Sequence, residues 1–177
     1  MWTSITVGFI FAFPFILWEI WKFISPALYE KEKKYAASFI IVSSILFFIG
    51  VLFGYYLIAP LSVQFFASYI VSPEISNSID IDSYMSLMKT SAIASGLLFE
   101  LPIIIFFLTK IGLVTPEFLR KYRKYTLVIV LIVAAVITPP DVLSQIIVTI
   151  PIMILYEASI LISVLVVKSQ EREKLKA

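Results

Sequence analysis

The chain has 177 residues, 60% of them hydrophobic, a mean hydropathy of +1.00 and a formal net charge of +2. Soluble domains carry about 45–50% apolar residues, so this composition excludes an ordinary water-soluble globule. With no Cys and no His, disulfides, thiolate metal sites and the usual general base are excluded as well.

Five apolar segments follow one another, at about 2–24, 35–59, 84–109, 125–138 and 142–167. A span needs roughly 20 residues to cross ~30 Å of hydrocarbon, and four of the five reach that. Lipid offers no partner to open backbone groups, so each segment is expected to be a helix. The first has no basic leader and too long an apolar run for a cleaved signal peptide. Trp18 and Trp21 mark its cytoplasmic interface, and Glu19 stands three residues before Lys22, the spacing of a pair within one helix. Pro26 suits the helix boundary in the short connection that follows. There Glu30 and Glu32 stand among Lys31, Lys33 and Lys34. They form either a solvated charge run or a receptor for an Arg-rich ligand through paired guanidinium–carboxylate bonds.

In the second segment Gly50 and Gly54 either make a small-xxx-small pair that admits a close neighbouring helix or reflect the ordinary frequency of Gly in membrane helices. The connection 60–83 faces outward. Its apolar half, 61–71, is expected to lie on the membrane as an interfacial helix, and its polar half holds Pro73, Glu74, Asn77, Asp80 and Asp82. After the third segment, Thr115 and Pro116 predict an N-cap and first residue of a short cytoplasmic helix. The fourth segment, fourteen residues, makes only about 21 Å of helix. Thr138-Pro139-Pro140-Asp141 stops it, and a span this short is expected to thin the bilayer beside it. Asp141 then caps the last span, with Gln145 one turn further on. The charged tail 168–177 is expected to fray.

Thirteen of the fourteen Lys and Arg lie on one side of this arrangement, at Lys22–Lys34, Lys110–Lys124 and Lys168–Lys176, against Lys89 alone on the other. Basic residues flanking spans stay cytoplasmic, so the C-terminus is placed inside. The clusters are short and adjoin spans, which reads as topology signals or headgroup contacts rather than nucleic-acid patches. Counting back puts Met1 outside, so at least one further span is expected ahead of this chain.

Two carboxylates fall deep in the spans. Glu100 is ten residues before Lys110, and Glu157 is eleven before Lys168. A mid-span carboxylate costs about 2.5–3.5 kcal/mol, so both should face protein or water. Each is either a polar contact for a partner's helix or guest peptide, or half of an internal helix–helix hydrogen bond. No catalytic signature is present: H-E-x-x-H cannot occur without His, and neither G-x-S-x-G nor a Walker-type glycine loop is found. The residues therefore describe a non-enzymatic, all-α, polytopic membrane protein of a single domain, 1–177, with no cofactor and no metal. A proton-coupled small-solute transporter using Glu100 and Glu157 is the alternative, although no inverted repeat is visible.

Several motifs together resemble the TatC family, the membrane subunit of the twin-arginine protein translocase. Phe23-Ile24-Ser25-Pro26-Ala27-Leu28-Tyr29-Glu30-Lys31-Glu32-Lys33 is similar to its cytoplasmic F-x-x-P-x-L-y-x-x-E-[KR] loop. Gly96-Leu97-Leu98-Phe99-Glu100-Leu101-Pro102 is similar to its G-x-x-F-E-x-P span. Residues 120–125, Thr138-Pro139-Pro140-Asp141 with Ser144-Gln145, and Pro151 to Leu155-Tyr156-Glu157 follow in family order. The resemblance implies a glove-like fold of six spans, five of them present here, with the N-terminal tail and first span absent. It also implies a receptor for twin-arginine signal peptides of folded cargo, with Glu32 as the matching motif glutamate and Phe23 and Glu30 nearby. Glu100 would line the hollow of the glove, while Thr138 and Gln145 would help dock the single-span partners TatA and TatB. Transport would draw on the proton-motive force in a multi-pass plasma-membrane complex, with several copies of the subunit.

Overall fold

The structure is a computed structural model that describes residues 2–24, 36–68, 80–139 and 141–175. Helix dominates, and the described residues contain no strand. In chain order the elements are α1 (Trp2–Ile24), α2 (Ala36–Phe53), a wide π turn (Gly54–Ile58), α3 (Ala59–Ser68), α4 (Ile81–Phe99), α5 (Leu101–Lys110), α6 (Pro116–Lys121), α7 (Arg123–Ile137) and α8 (Val142–Lys174). Four stretches are long and apolar enough to cross a membrane: Trp2–Phe23, Ser38–Ser68, Ile81–Lys110 and Val142–Arg172. The fifth, α7, has fifteen residues, about 22 Å of helix.

Two boundaries differ from the sequence expectation. The outer connection does not begin at Pro60, because α2 continues through the π turn into α3 as far as Ser68. At the join, Ala59 N–H donates to the Gly54 carbonyl, five residues back. A widened turn thus stands directly before the residue with no N–H to give, and the helix passes Pro60 without ending. The segment expected at the interface, up to Ser68, is therefore a continuation of the second span. At the other end, α8 runs on to Lys174, so residues 168–174 extend the last helix.

The seam between α2 and α4 is set by glycine. A Cβ on Gly54 would lie 2.3 Å from the Ser91 carbonyl oxygen, and one on Gly50 2.6 Å from that of Ser95. The two helices therefore touch backbone to backbone, as the small-xxx-small spacing predicts. Beside this seam α1 lies on α2, with Phe13 stacked on Phe47 at 3.5 Å between centroids and Trp21 against Phe39 at 5.1 Å. On the other side α5 packs on α8, where Thr109 and Ser163 share a hydroxyl–hydroxyl bond of 2.9 Å and Gln170 donates to the Lys110 carbonyl at 3.0 Å. The last neighbour, α7, meets α8 through Val130 and Ala134 against Val148 and Ile152.

Both predicted caps form. Phe118 N–H donates to Thr115 Oγ1 at 3.2 Å, and Ser144 N–H to Asp141 Oδ2 at 2.7 Å. Asp141→Ala is expected to cost about 1 kcal/mol, and Asp141→Asn much less, because Asn also accepts from the first turn. Thermal unfolding in detergent checks this, and equal midpoints for the two variants would contradict the cap.

Candidate functional site

Pro102 shapes the centre of the molecule. It has no N–H, so the helical ladder breaks just before it. Glu100 then adopts φ −76°, ψ −6° between α4 and α5, with Ile103 and Ile104 N–H both donating to its carbonyl at 2.9 and 3.0 Å. The break presents the Glu100 side chain to a recess of about 290 Å³ between α1, α2 and α5. Leu17 and Ile20 come from α1, Phe39 from α2, and Ile103, Ile104 and Phe107 from α5. Everything lining it is apolar except that carboxyl.

Glu100 is only 7% exposed. Ser43 Oγ–H donates to its Oε2, while Oε1 is buried with no hydrogen-bond partner among the described residues. A half-satisfied acid at this depth is costly to leave alone. The arrangement is therefore suited to accept a donor from something that enters the recess.

Glu157 meets different company. Arg123 Nη2 donates to its Oε2 at 2.6 Å, both side chains being about half-exposed. An internal pair with α7, one of the two readings of this residue, is what the structure holds. Thr138 is buried and donates to the Ala134 carbonyl at 2.8 Å, and Gln145 Nε2 donates to the Leu131 carbonyl at 2.8 Å. These three residues join α7 to α8 or finish α7. They do not enter the recess, so the four intramembrane site positions, Glu100, Thr138, Gln145 and Glu157, divide between two places. Pro139 is buried at the turn, with Asp141 N–H on its carbonyl at 2.7 Å. Phe23 stands 88% exposed at the end of α1. Glu19 pairs with Lys22 at 2.7 Å. Glu30, Glu32, Pro26 and Pro140 lie outside the described residues.

Two partners were not foreseen from the sequence: Ser43 on Glu100 and Arg123 on Glu157. Ser43-Ser44 does interrupt an apolar run, and that polar pair was the available signal. Nothing local links either residue to an acid 57 or 34 positions away.

Helices long and apolar enough to cross a bilayer, packed beside an apolar hollow with one buried carboxyl, define a multi-pass membrane protein. The sequence profile of the family described as "Sec-independent protein translocase protein (TatC)" matches residues 1–151. The chain belongs to the TatC family. It is 45% identical over 170 residues to the TatC protein of Blattabacterium sp. subsp. Periplaneta americana, covering 96% of this chain and 64% of that protein. It is also 45% identical over 157 residues to TatCy of Bacillus subtilis, covering 89% and 62%. A crystal structure described as Twin Arginine Translocase Receptor TatC superposes with a TM-score of 0.75 at 38% identity, over 90% of this chain and 71% of that one. The chain thus spans just under two thirds of the length of these two relatives. Family membership leaves the solute-transporter alternative without support.

Proposed function

We propose that this chain forms most of the receptor subunit of a twin-arginine translocase in a plasma membrane, with its C-terminal end in the cytoplasm. In this reading it binds the signal peptides of folded cargo, assembles with TatA, TatB and further copies of itself, and works on the proton-motive force. The observation that carries the proposal is the family match over residues 1–151, together with a recess that offers Glu100 to a guest. The one-sided placement of Lys and Arg supports the orientation.

Recognition begins at the cytoplasmic loop. Glu32 serves as the carboxylate for a signal-peptide guanidinium, with Phe23 as an apolar neighbour and Glu30 in a lesser role. The hydrophobic part of the signal, or a partner helix, then occupies the hollow and meets Glu100. Thr138, Gln145 and Glu157 sit on the α7–α8 side, where a single-span partner docks.

The test uses the subunit in its full-length context. A photo-crosslinking twin-arginine peptide is expected to label the wild type and lose that labelling in Glu32→Ala, with Glu30→Ala milder. Hydrogen bonds to charged groups contribute about 1.5–3 kcal/mol, so the loss should be about tenfold or more. Unchanged labelling in Glu32→Ala, or equal labelling by a twin-lysine peptide, refutes the assignment.

A further inference from the structure

The basic corner formed by α6 and the start of α7 stands at a different height from the other cytoplasmic charges. Tyr156 Oη donates to the Leu119 carbonyl at 2.8 Å, and Arg123 pairs with Glu157. Both contacts fix the corner at residues 156–157 of α8. The end of α5 is fixed elsewhere, by Gln170 on the Lys110 carbonyl. From 157 to 170 is thirteen residues, about 20 Å along α8.

The surface near this corner makes two incompatible demands of a flat bilayer. Four basic residues lie within 120–124, against the two acids Glu117 and Glu157, leaving a local charge of +2. Arg123 is engaged by Glu157, whereas Arg120, Lys121 and Lys124 are exposed and have no carboxylate partner among the described residues. Phe118, Tyr122 and Tyr125 form a chain of rings 4.5 and 5.7 Å apart, with Phe118 and Tyr125 well exposed. Exposed aromatics beside cations are the mark of a headgroup layer. Yet Leu161 and Leu165 are exposed on α8 beyond the corner, on its cytoplasmic side, and such side chains belong in hydrocarbon.

We propose that this corner is a binding site for an anionic phospholipid of the cytoplasmic leaflet. Arg120, Lys121 and Lys124 hold the phosphate, and the acyl chains run toward the bilayer centre beside Ile154 and Ile150, which are exposed on α8 on the other side of the corner. The headgroup is drawn inward from the level of Lys110 and Lys168. Anionic lipid is favoured over zwitterionic because the site keeps uncompensated positive charge, and each cation near such a headgroup adds to the attraction.

The protein is reconstituted in nanodiscs of equal parts phosphatidylglycerol and phosphatidylethanolamine, then extracted gently, and the retained lipids are counted by native mass spectrometry. Wild type is expected to retain phosphatidylglycerol preferentially. Arg120→Gln/Lys121→Gln/Lys124→Gln should lower that preference by about fivefold or more, while Lys168→Gln/Arg172→Gln leaves it unchanged. Equal losses in both variants, or no loss in the first, overturn the site. Should the triple variant fail to fold, a photoactivatable phosphatidylglycerol added to wild type decides. Adducts within 118–125 support the site, and adducts confined to 168–172 overturn it. Displacement of the lipid by excess inorganic phosphate overturns the lipid assignment in favour of a free anion.

Discussion

Gly54→Leu is expected to leave little folded protein. A Cβ at this position would sit 2.3 Å from the Ser91 carbonyl oxygen, 2.7 Å from its carbon and 2.8 Å from Ala92 Cα. All three are backbone atoms of α4, so no side chain can turn aside to make room. Ordinary contact needs roughly 3.5–4.0 Å, and the helices would have to separate by about 1 Å even for alanine. Overpacking a well-filled site typically costs about 1–3 kcal/mol, and Leu adds three further carbons to the clash. Separation here would also draw Ser43 away from Glu100, so the damage would reach the recess. Gly8 supplies the control, since nothing lies within 4 Å of a Cβ there. Thermal unfolding in detergent should show Gly8→Ala at the wild-type midpoint, Gly54→Ala clearly lower and Gly54→Leu without a cooperative transition. A Gly54→Leu protein that melts like wild type would show that α2 and α4 are not in direct contact.

Glu100→Ala should preserve the fold and remove export. Among the described residues the carboxyl has one partner, Ser43, and one oxygen with none. Its removal therefore takes away a desolvated group whose cost the fold already bears, and leaves one serine hydroxyl that can turn to a carbonyl of its own helix. A docking role predicts the opposite for function. An entering donor would find only apolar walls, and losing a hydrogen bond of about 2 kcal/mol at this depth lowers occupancy by about thirtyfold. Glu100→Gln keeps an acceptor in place and should fall between wild type and alanine. The measurements are the unfolding midpoint, export of a folded reporter, and crosslinking of a partner helix to Ile103 or Ile104. Full export and crosslinking in both variants would sink the docking role. A collapse of the midpoint in Glu100→Ala with crosslinking intact would make the residue purely structural.

Spans and caps were legible because they depend on local quantities. Hydropathy summed over twenty residues finds a helix in lipid, and Thr115 and Asp141 cap because the groups they bind lie three residues away. The glycine pair at 50 and 54 was legible as a spacing, although not the identity of its partner helix. What escaped was non-local or depended on relief of a local rule. Proline usually ends a helix, so Pro60 read as a boundary, and only the π turn before it explains its passage. Ser43 and Arg123 acquire their roles from helices brought alongside by packing, which no window of sequence contains. The site divided for the same reason. Glu100 and Glu157 sit at matching distances from basic flanks, yet one opens to a hollow beside α1 while the other is claimed by α7.

The π turn at 54–58 also sets the phase of everything beyond it. Such a turn accommodates one residue more than the α-helical path would. A helix advances about 100° per residue at 3.6 per turn, so α3 is rotated by that angle relative to an uninterrupted continuation of α2. Ser62, wholly enclosed where α3 runs beside α4, owes its inward aspect to this offset. Chain length between Gly54 and Ala59 is thus a dial for the far half of this long helix, and a single codon lost there would turn its enclosed stripe by about 100° away from α4.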